Sequence, residues 1–159
     1  MKCSWPSLTA AMLALAACTP SGPSGPNGGL VDGPTAGQLF ASVCGDTAPT
    51  FSGYFTAVTN GSYQRDPATN LYEHVKLDLN FQLTQGRTEE VCRMQFRSNE
   101  ERVRLALFVT SAIPGAGRLE LNQETGVARR ELAPNVVMTF QPALPDDNLH
   151  TARINVGVR

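Results

Sequence analysis

A run of alternating apolar and polar residues between Leu71 and Thr84 constrains the fold more than any other feature of this sequence. Apolar residues occupy the odd positions and polar residues the even ones, with Glu73 as the one exception. The apolar members are Leu71, Val75, Leu77, Leu79, Phe81 and Leu83. Because successive side chains of a strand point to opposite faces, this pattern predicts a long β-strand with one face buried and the other in water.

A second strand is predicted directly after this one. Gln85-Gly86-Arg87 has the composition of a turn, and Glu90–Arg97 then alternates again, with Cys92, Met94 and Phe96 on the inward side. Shorter stretches of the same kind, separated by turn residues, predict further strands at 118–122, 127–132, 136–141 and 151–158. The second half of the chain is therefore expected to form an antiparallel meander.

Three helices are predicted from capping residues followed by apolar residues at helical spacing. Thr35 is a candidate cap for the first and Pro49–Thr50 for the start of the second, in which Phe51, Phe55 and Val58 would be buried. Ser98 and Glu101 match a capping box that would open the third. The expected ranges are 35–43, 49–59 and 98–111.

Together these elements predict an α+β fold. Two N-terminal helices and one inserted helix would pack on one face of an antiparallel sheet, and the polar even positions of the long strand fit a second face exposed to water. One such domain would occupy residues 35–159, a length sufficient for a modest hydrophobic core.

The N-terminus has the features of an export signal. A positive start, Met1-Lys2, precedes the apolar stretch Leu8–Leu15, which is too short to span a bilayer. The stretch ends in Leu15-Ala16-Ala17-Cys18, which resembles the lipobox of bacterial lipoproteins. The alternative is an ordinary secretory leader that happens to be followed by a cysteine.

The resemblance to lipoproteins implies a specific maturation. Residues 1–17 would be removed as a signal peptide, and Cys18 would carry the lipid that anchors the chain to a membrane. Thr19 stands where an aspartate would retain many such proteins in the inner membrane, so the resemblance implies an outer-membrane location facing the periplasm. The Gly-, Pro- and Ser-rich residues 18–34 are expected to form a flexible tether.

The cysteines are consistent with this compartment. Cys3 would leave with the leader and Cys18 would be lipidated, so Cys44 and Cys92 remain as a pair in an oxidising space and are expected to form a disulfide. The competing interpretation is a catalytic thiol at Cys44 with His74 or His150 as its base.

The charge of the chain argues against a nucleic-acid partner. The formal net charge is −1, and it becomes −2 when the leader with Lys2 is removed. Nucleic-acid binding rewards a concentrated basic patch, which this balance does not favour.

One polar surface of the predicted sheet is a candidate ligand site. Tyr72, His74, Lys76 and Asp78 would share the polar face of the long strand and could contact a ligand. The sequence has no HExxH, CxxC or GxSxG motif and no phosphate-binding glycine loop, so no catalytic residue, metal or cofactor is predicted.

Two hypotheses of function follow. The first is a non-enzymatic accessory or binding module that is anchored through Cys18 and contacts an envelope protein or polymer. The second is a small periplasmic hydrolase with a site around His74.

Overall fold

The computed structural model describes residues 28–157, which form an eight-stranded antiparallel sheet with helices packed against it. The strands are β1 (Tyr63–Arg65), β2 (Tyr72–His74), β3 (Leu79–Gln85), β4 (Glu89–Arg97), β5 (Glu120–Leu121), β6 (Ala128–Ala133), β7 (Val136–Gln141) and β8 (Leu149–Gly157). Their order across the sheet is β1-β2-β3-β4-β8-β7-β6-β5. The C-terminal strand β8 therefore lies at the centre, between β4 and β7.

The helices are α1 (Gly33–Phe40), which continues into the π-helical turn Ala41–Gly45, α2 (Tyr54–Asn60) and α3 (Arg102–Ser111). Their buried side chains join those of one sheet face in a single core, which includes Phe40, Tyr54 and Leu105. The α+β prediction, with two N-terminal helices and one inserted helix on an antiparallel sheet, is confirmed.

The predicted strand over Leu71–Thr84 is wrong as a single element, because the structure divides it into β2 and β3. The chain turns at Val75–Asp78, where the backbone amides of Lys76 and Leu77 both donate to Nδ1 of His74 at 3.1 Å. The amide of Asp78 then donates to the carbonyl of Gly29. Periodicity alone did not reveal this turn, since its residues keep the apolar alternation.

Strand β4 confirms the second predicted strand and the residues that were predicted to point inward. Cys92, Met94 and Phe96 are fully buried, and each alternates with a partly exposed residue. Cys92 is bonded to Cys44, which lies in the π-helical turn, with a Cα–Cα distance of 5.7 Å. The predicted disulfide is therefore confirmed, and it fastens the end of α1 to the middle of the sheet.

The starts of α1 and α3 differ from the predicted ones. Asp32, rather than Thr35, caps α1, and its carboxylate accepts the Thr35 amide at 2.8 Å. Glu101, rather than Ser98, caps α3, because its carboxylate accepts the amides of Val103 and Arg104. In both cases the side chain of an acid reaches the first turn directly, which also suits the positive end of the helix dipole.

Helix α2 is shorter than predicted, and its buried face is different. Phe51 has a φ of +48°, a left-handed conformation that a right-handed helix cannot include, so the helix starts only at Tyr54. Phe51 and Val58 are buried as expected, whereas Phe55 is 55% exposed and Tyr54 occupies the core instead.

The four predicted C-terminal strands are present with shifted ends. The range 136–141 matches β7, whereas 118–122 shortens to the two residues of β5. Asn155 and Arg153 alternate with the buried Ile154 and Ala152 along β8, as the sequence pattern predicts. The sides predicted for this last strand are thus confirmed.

Candidate functional site

The four residues of the predicted ligand surface do not share one face in the structure. Tyr72 lies on β2 and His74 ends that strand, whereas Lys76 is exposed in the turn and Asp78 is buried just before β3. The cause is the turn at Val75–Asp78, which reverses the alternation on which the prediction depended.

His74 has a structural role in this turn. Its Nδ1 accepts the two backbone amides described above, and its ring packs edge-on against Tyr63. Burial, together with the nearby Lys76 ammonium, lowers the pKa of the imidazole. A neutral ring keeps Nδ1 as an acceptor, so the shift and the hydrogen bonds support each other.

His150 is buried at the inner face of β8, with 3% of its surface exposed. Nδ1 accepts the Ala143 amide at 3.2 Å, and Nε2 lies 3.2 Å from the carbonyl oxygen of Ser98, to which it donates. The ring stacks on Phe140 and packs against Phe96. Burial lowers the pKa of this imidazole, outweighing the carbonyl of Ser98 that raises it.

Asp78 pairs with Arg97, which ties the loop before β8 to the sheet. Arg97 lies 3.3 Å from the Asp78 carboxylate and 3.1 Å from that of Asp147, and it also donates to Asn148. Burial raises the pKa of Asp78 against the opposing effect of Arg97. The open polar cleft beside this network, about 560 Å³, is formed by these same loop residues and by the start of α3.

Tyr72 lies in an aromatic cluster between α2 and strand β2. Tyr54, Phe55 and Tyr72 contact one another and line a small cleft of about 110 Å³, together with Arg65 and Asn70. The hydroxyls of Tyr54 and Tyr63 are buried without a hydrogen-bond partner, and burial raises the pKa of both.

The sheet face opposite the helices, called the open face below, carries outward side chains that are almost all polar. The register places one transverse row of cross-strand neighbours at its centre, comprising Gln82, Arg93, Arg153, Thr139, Arg129 and Glu120. Three of these six side chains are arginines, which concentrates positive charge on a chain whose formal net charge is −1.

Arg93 and Arg153 are directly opposite each other on β4 and β8. Among the described residues neither is in an ion pair, since the arginines paired with carboxylates are Arg97, Arg104 and Arg129. Arg93 donates to the side-chain oxygen of Gln82, but its buried Nε has no partner. Burial, and after it the charge of Arg153, lowers the pKa of the Arg93 guanidinium.

Further polar atoms without partners lie beside this pair on the same face. Asn80, which is 2% exposed, has neither its side-chain nitrogen nor its oxygen hydrogen-bonded, and Oδ1 of Asp78 is also unpaired. Buried polar atoms in folded proteins are rarely left without a partner, and each exception calls for a physical reason. Such atoms occur on this face in Arg93, Asn80 and Asp78, and elsewhere in Tyr54, Tyr63 and Glu100.

A groove lies at the end of the row opposite Gln82, near Arg153 and Arg129. A depression of about 310 Å³ lies between Arg153 and Arg129, with Thr139, Gln141 and Thr151 also on its walls. A second open depression of about 690 Å³ shares Arg129 and includes Arg118. Both are within the size range of ligand sites.

Sequence reasoning missed this row because it depends on the pairing of distant strands. Arg93 and Arg153 each stand at an outward position of a predicted strand, so their exposure to the polar face was accessible from the alternation. The alternation does not show, however, that β8 lies beside β4, because the paired residues Arg93 and Arg153 are 60 residues apart in the sequence.

Comparison with known proteins found no matching family model, no matching curated protein and no matching solved structure. Within residues 28–157, no group of three or more His, Cys, Asp or Glu side chains has a metal-binding arrangement. No helix in this part of the chain combines the length and apolarity needed to cross a membrane. The predicted leader, Cys18 and most of the predicted tether lie outside the described residues.

Proposed function

We propose that this chain is a lipid-anchored binding module of the bacterial envelope rather than an enzyme. Residues 1–17 are removed, the lipid on Cys18 anchors the chain to the outer membrane on its periplasmic side, and the domain contacts an envelope partner from there. The lipobox-like residues support the anchor, and the open face supports the contact.

The pair formed by Arg93 and Arg153 is the observation that carries this proposal. Like charges placed directly opposite each other in a sheet are destabilising, and a half-buried guanidinium loses hydration as well. A bound anion would compensate both costs, because the planar donor fork of arginine matches carboxylate and phosphate oxygens. The open face therefore suits a partner that presents negative charge.

The hydrolase hypothesis has less support from the geometry. Nδ1 of His74 and Nδ1 of His150 are both occupied by backbone amides, and neither imidazole is hydrogen-bonded to a carboxylate among the described residues. A general base needs a free nitrogen within hydrogen-bond reach of the proton that it removes. Both rings instead hold the backbone in place.

The anchor is tested by mass spectrometry of the chain recovered from membranes. We expect an N-terminus at Cys18 with the added mass of acyl chains, since two or more chains give firm anchoring. The Cys18→Ser variant should lose this mass, whereas Cys3→Ser should behave as the unaltered chain. An unprocessed N-terminus, or a Cys18 without acyl mass, would refute the anchor.

The contact surface is tested with isolated outer membranes or cell-wall fractions in a sedimentation assay. Arg153→Glu should reduce co-sedimentation of the Cys18→Ser chain, which has no lipid of its own, by roughly tenfold or more, because it replaces an attraction by a repulsion. Arg104→Glu is the matched control, since Arg104 lies on α3 with its side chain 66% exposed. Equal binding of both variants would contradict a role for the open face.

A further inference from the structure

We infer that the open face binds a linear acidic polysaccharide, whose carboxylates lie along the arginine row and whose hydroxyls bond to the surrounding amide and hydroxyl side chains. This inference rests on the proposed function and names the class of partner for the same surface.

The arginines are spaced along a line that crosses the strands. Neighbouring strands lie about 4.8 Å apart, so Arg93 and Arg153 are separated by about one such spacing, and Arg153 and Arg129 by about two. Arg129 pairs with Glu120 at 3.6 Å, but both side chains are more than half exposed, and such a pair is easily exchanged for a ligand carboxylate. A polymer with charges at regular intervals can meet all three.

The side chains on one side of the row offer neutral hydrogen-bonding groups. The neighbouring row contains Asn80, Gln95, Thr151 and Gln141 in register. Amides and hydroxyls both donate and accept, which matches the hydroxyl groups of a sugar. Gln95, Thr151 and Gln141 are at least partly exposed, so a ligand on this face can reach them, whereas Asn80 and the Nε of Arg93 are buried.

The groove between Arg153 and Arg129 gives the polymer a place to lie. Its volume of about 310 Å³ is at the lower end of ligand sites, and its walls combine two arginines with Thr139, Gln141 and Thr151. The adjoining depression, lined by Arg118, Glu120 and Arg129 among others, extends this path beyond Arg129. An extended chain fits such a shallow and continuous path better than a compact ligand does.

A protein partner is disfavoured by the composition of this face. Stable protein interfaces have an apolar centre rich in aromatic side chains, around which polar groups form a rim. The outward positions of β3, β4, β8, β7 and β6 carry no aromatic residue, and the apolar ones among them are aliphatic, such as Val91, Val137 and Leu149. The centre of the face is the arginine pair itself.

The experiment uses the chain in the form that cells produce, held in detergent, and measures its binding to polygalacturonate by calorimetry at low and moderate salt. Fully methyl-esterified polygalacturonate is the matched neutral polymer, and polyglutamate is the acidic peptide control. We expect binding to the carboxylated polysaccharide alone, with an affinity that falls as salt is raised. Arg153→Gln should weaken it roughly tenfold, as the loss of one charge-assisted hydrogen-bonding group does.

Arg93→Lys and Arg104→Gln complete the set of variants. Arg93→Lys keeps the positive charge but loses the planar set of donors of the guanidinium, so it should also weaken binding. Arg104→Gln, on α3, should leave binding unchanged. Circular dichroism of each variant verifies that it is folded.

Three results would overturn the inference: no binding of polygalacturonate at low salt, equal binding of the esterified polymer or polyglutamate, or binding that Arg153→Gln does not change. If polygalacturonate does not bind while Arg153→Glu still abolishes attachment to isolated envelopes, the inference is wrong and the proposed function stands. If the envelope assay also shows no dependence on Arg153, the proposed contact surface fails with it.

Discussion

Replacing Cys92 with alanine is expected to lower the free energy of unfolding by about 4 kcal/mol. The bond to Cys44 closes a loop over a sequence separation of 48, and in the chain-entropy description a loop of this length restricts the unfolded chain by about that amount. The loss is large in relation to the total stability of a small domain, which is about 5–15 kcal/mol. Urea denaturation of the purified variant measures it.

The double variant Cys44→Ala/Cys92→Ala is the control for effects other than the cross-link. Both cysteines are fully buried, so a single replacement also leaves an unpaired thiol in the core. If the cross-link causes the loss, the single and double variants should be destabilised to a similar degree. The unaltered chain under a strong reductant should have a free energy of unfolding close to theirs.

Thiol titration of the unaltered folded chain should find neither Cys44 nor Cys92 free. A variant as stable as the unaltered chain would show that the bond restricts little.

The disulfide shows which part of the fold the sequence could predict. Its pairing was predicted from the two cysteines that would remain after the expected processing and lipidation, and β4 was predicted from the alternation around Cys92. Such local or compositional signals also predicted β7 to the residue and the sides of β8. Local signals of this kind predict whether a segment forms a helix or a strand and which of its sides is buried.

What the sequence could not predict depends on contacts between distant segments or on single side chains. The turn at Val75–Asp78 preserves the alternation of a strand, and only the bonds of two amides to His74 reveal it. The position of β8 beside β4 decides that Arg93 faces Arg153, so the candidate site could not be assembled from either strand by itself. The predicted ligand surface, in contrast, depended on the one segment whose continuity the structure breaks.

The replacement of His150 by alanine is expected to destabilise the domain by about 3–5 kcal/mol, a size typical of emptying an aromatic-sized site in a core. The ring fills the space between Phe96 and Phe140, so the variant leaves a cavity there. It also leaves the Ala143 amide and the Ser98 carbonyl without partners in a buried place, which adds the cost of desolvated polar groups. Lys76→Ala, at an exposed position, should change stability little.

The same ring should make the domain less stable in mild acid. Burial holds the pKa of His150 below its usual 6.5, so the unfolded chain takes up a proton more readily than the folded one. Stability is therefore fully present above about pH 6.5 and declines as the pH falls towards the folded-state pKa. The physical reason is that a proton on Nδ1 would face the Ala143 amide with a second donor.

Comparison of His150→Gln and His74→Gln separates the two histidines in this effect. The pKa of His74 is lowered as well, so both rings should contribute to the slope of unfolding free energy against pH between about pH 5 and 7.5. Because His150 is more deeply buried, its replacement should remove the larger part of the slope. A slope that is unchanged by both replacements would mean that neither imidazole is held neutral by the fold.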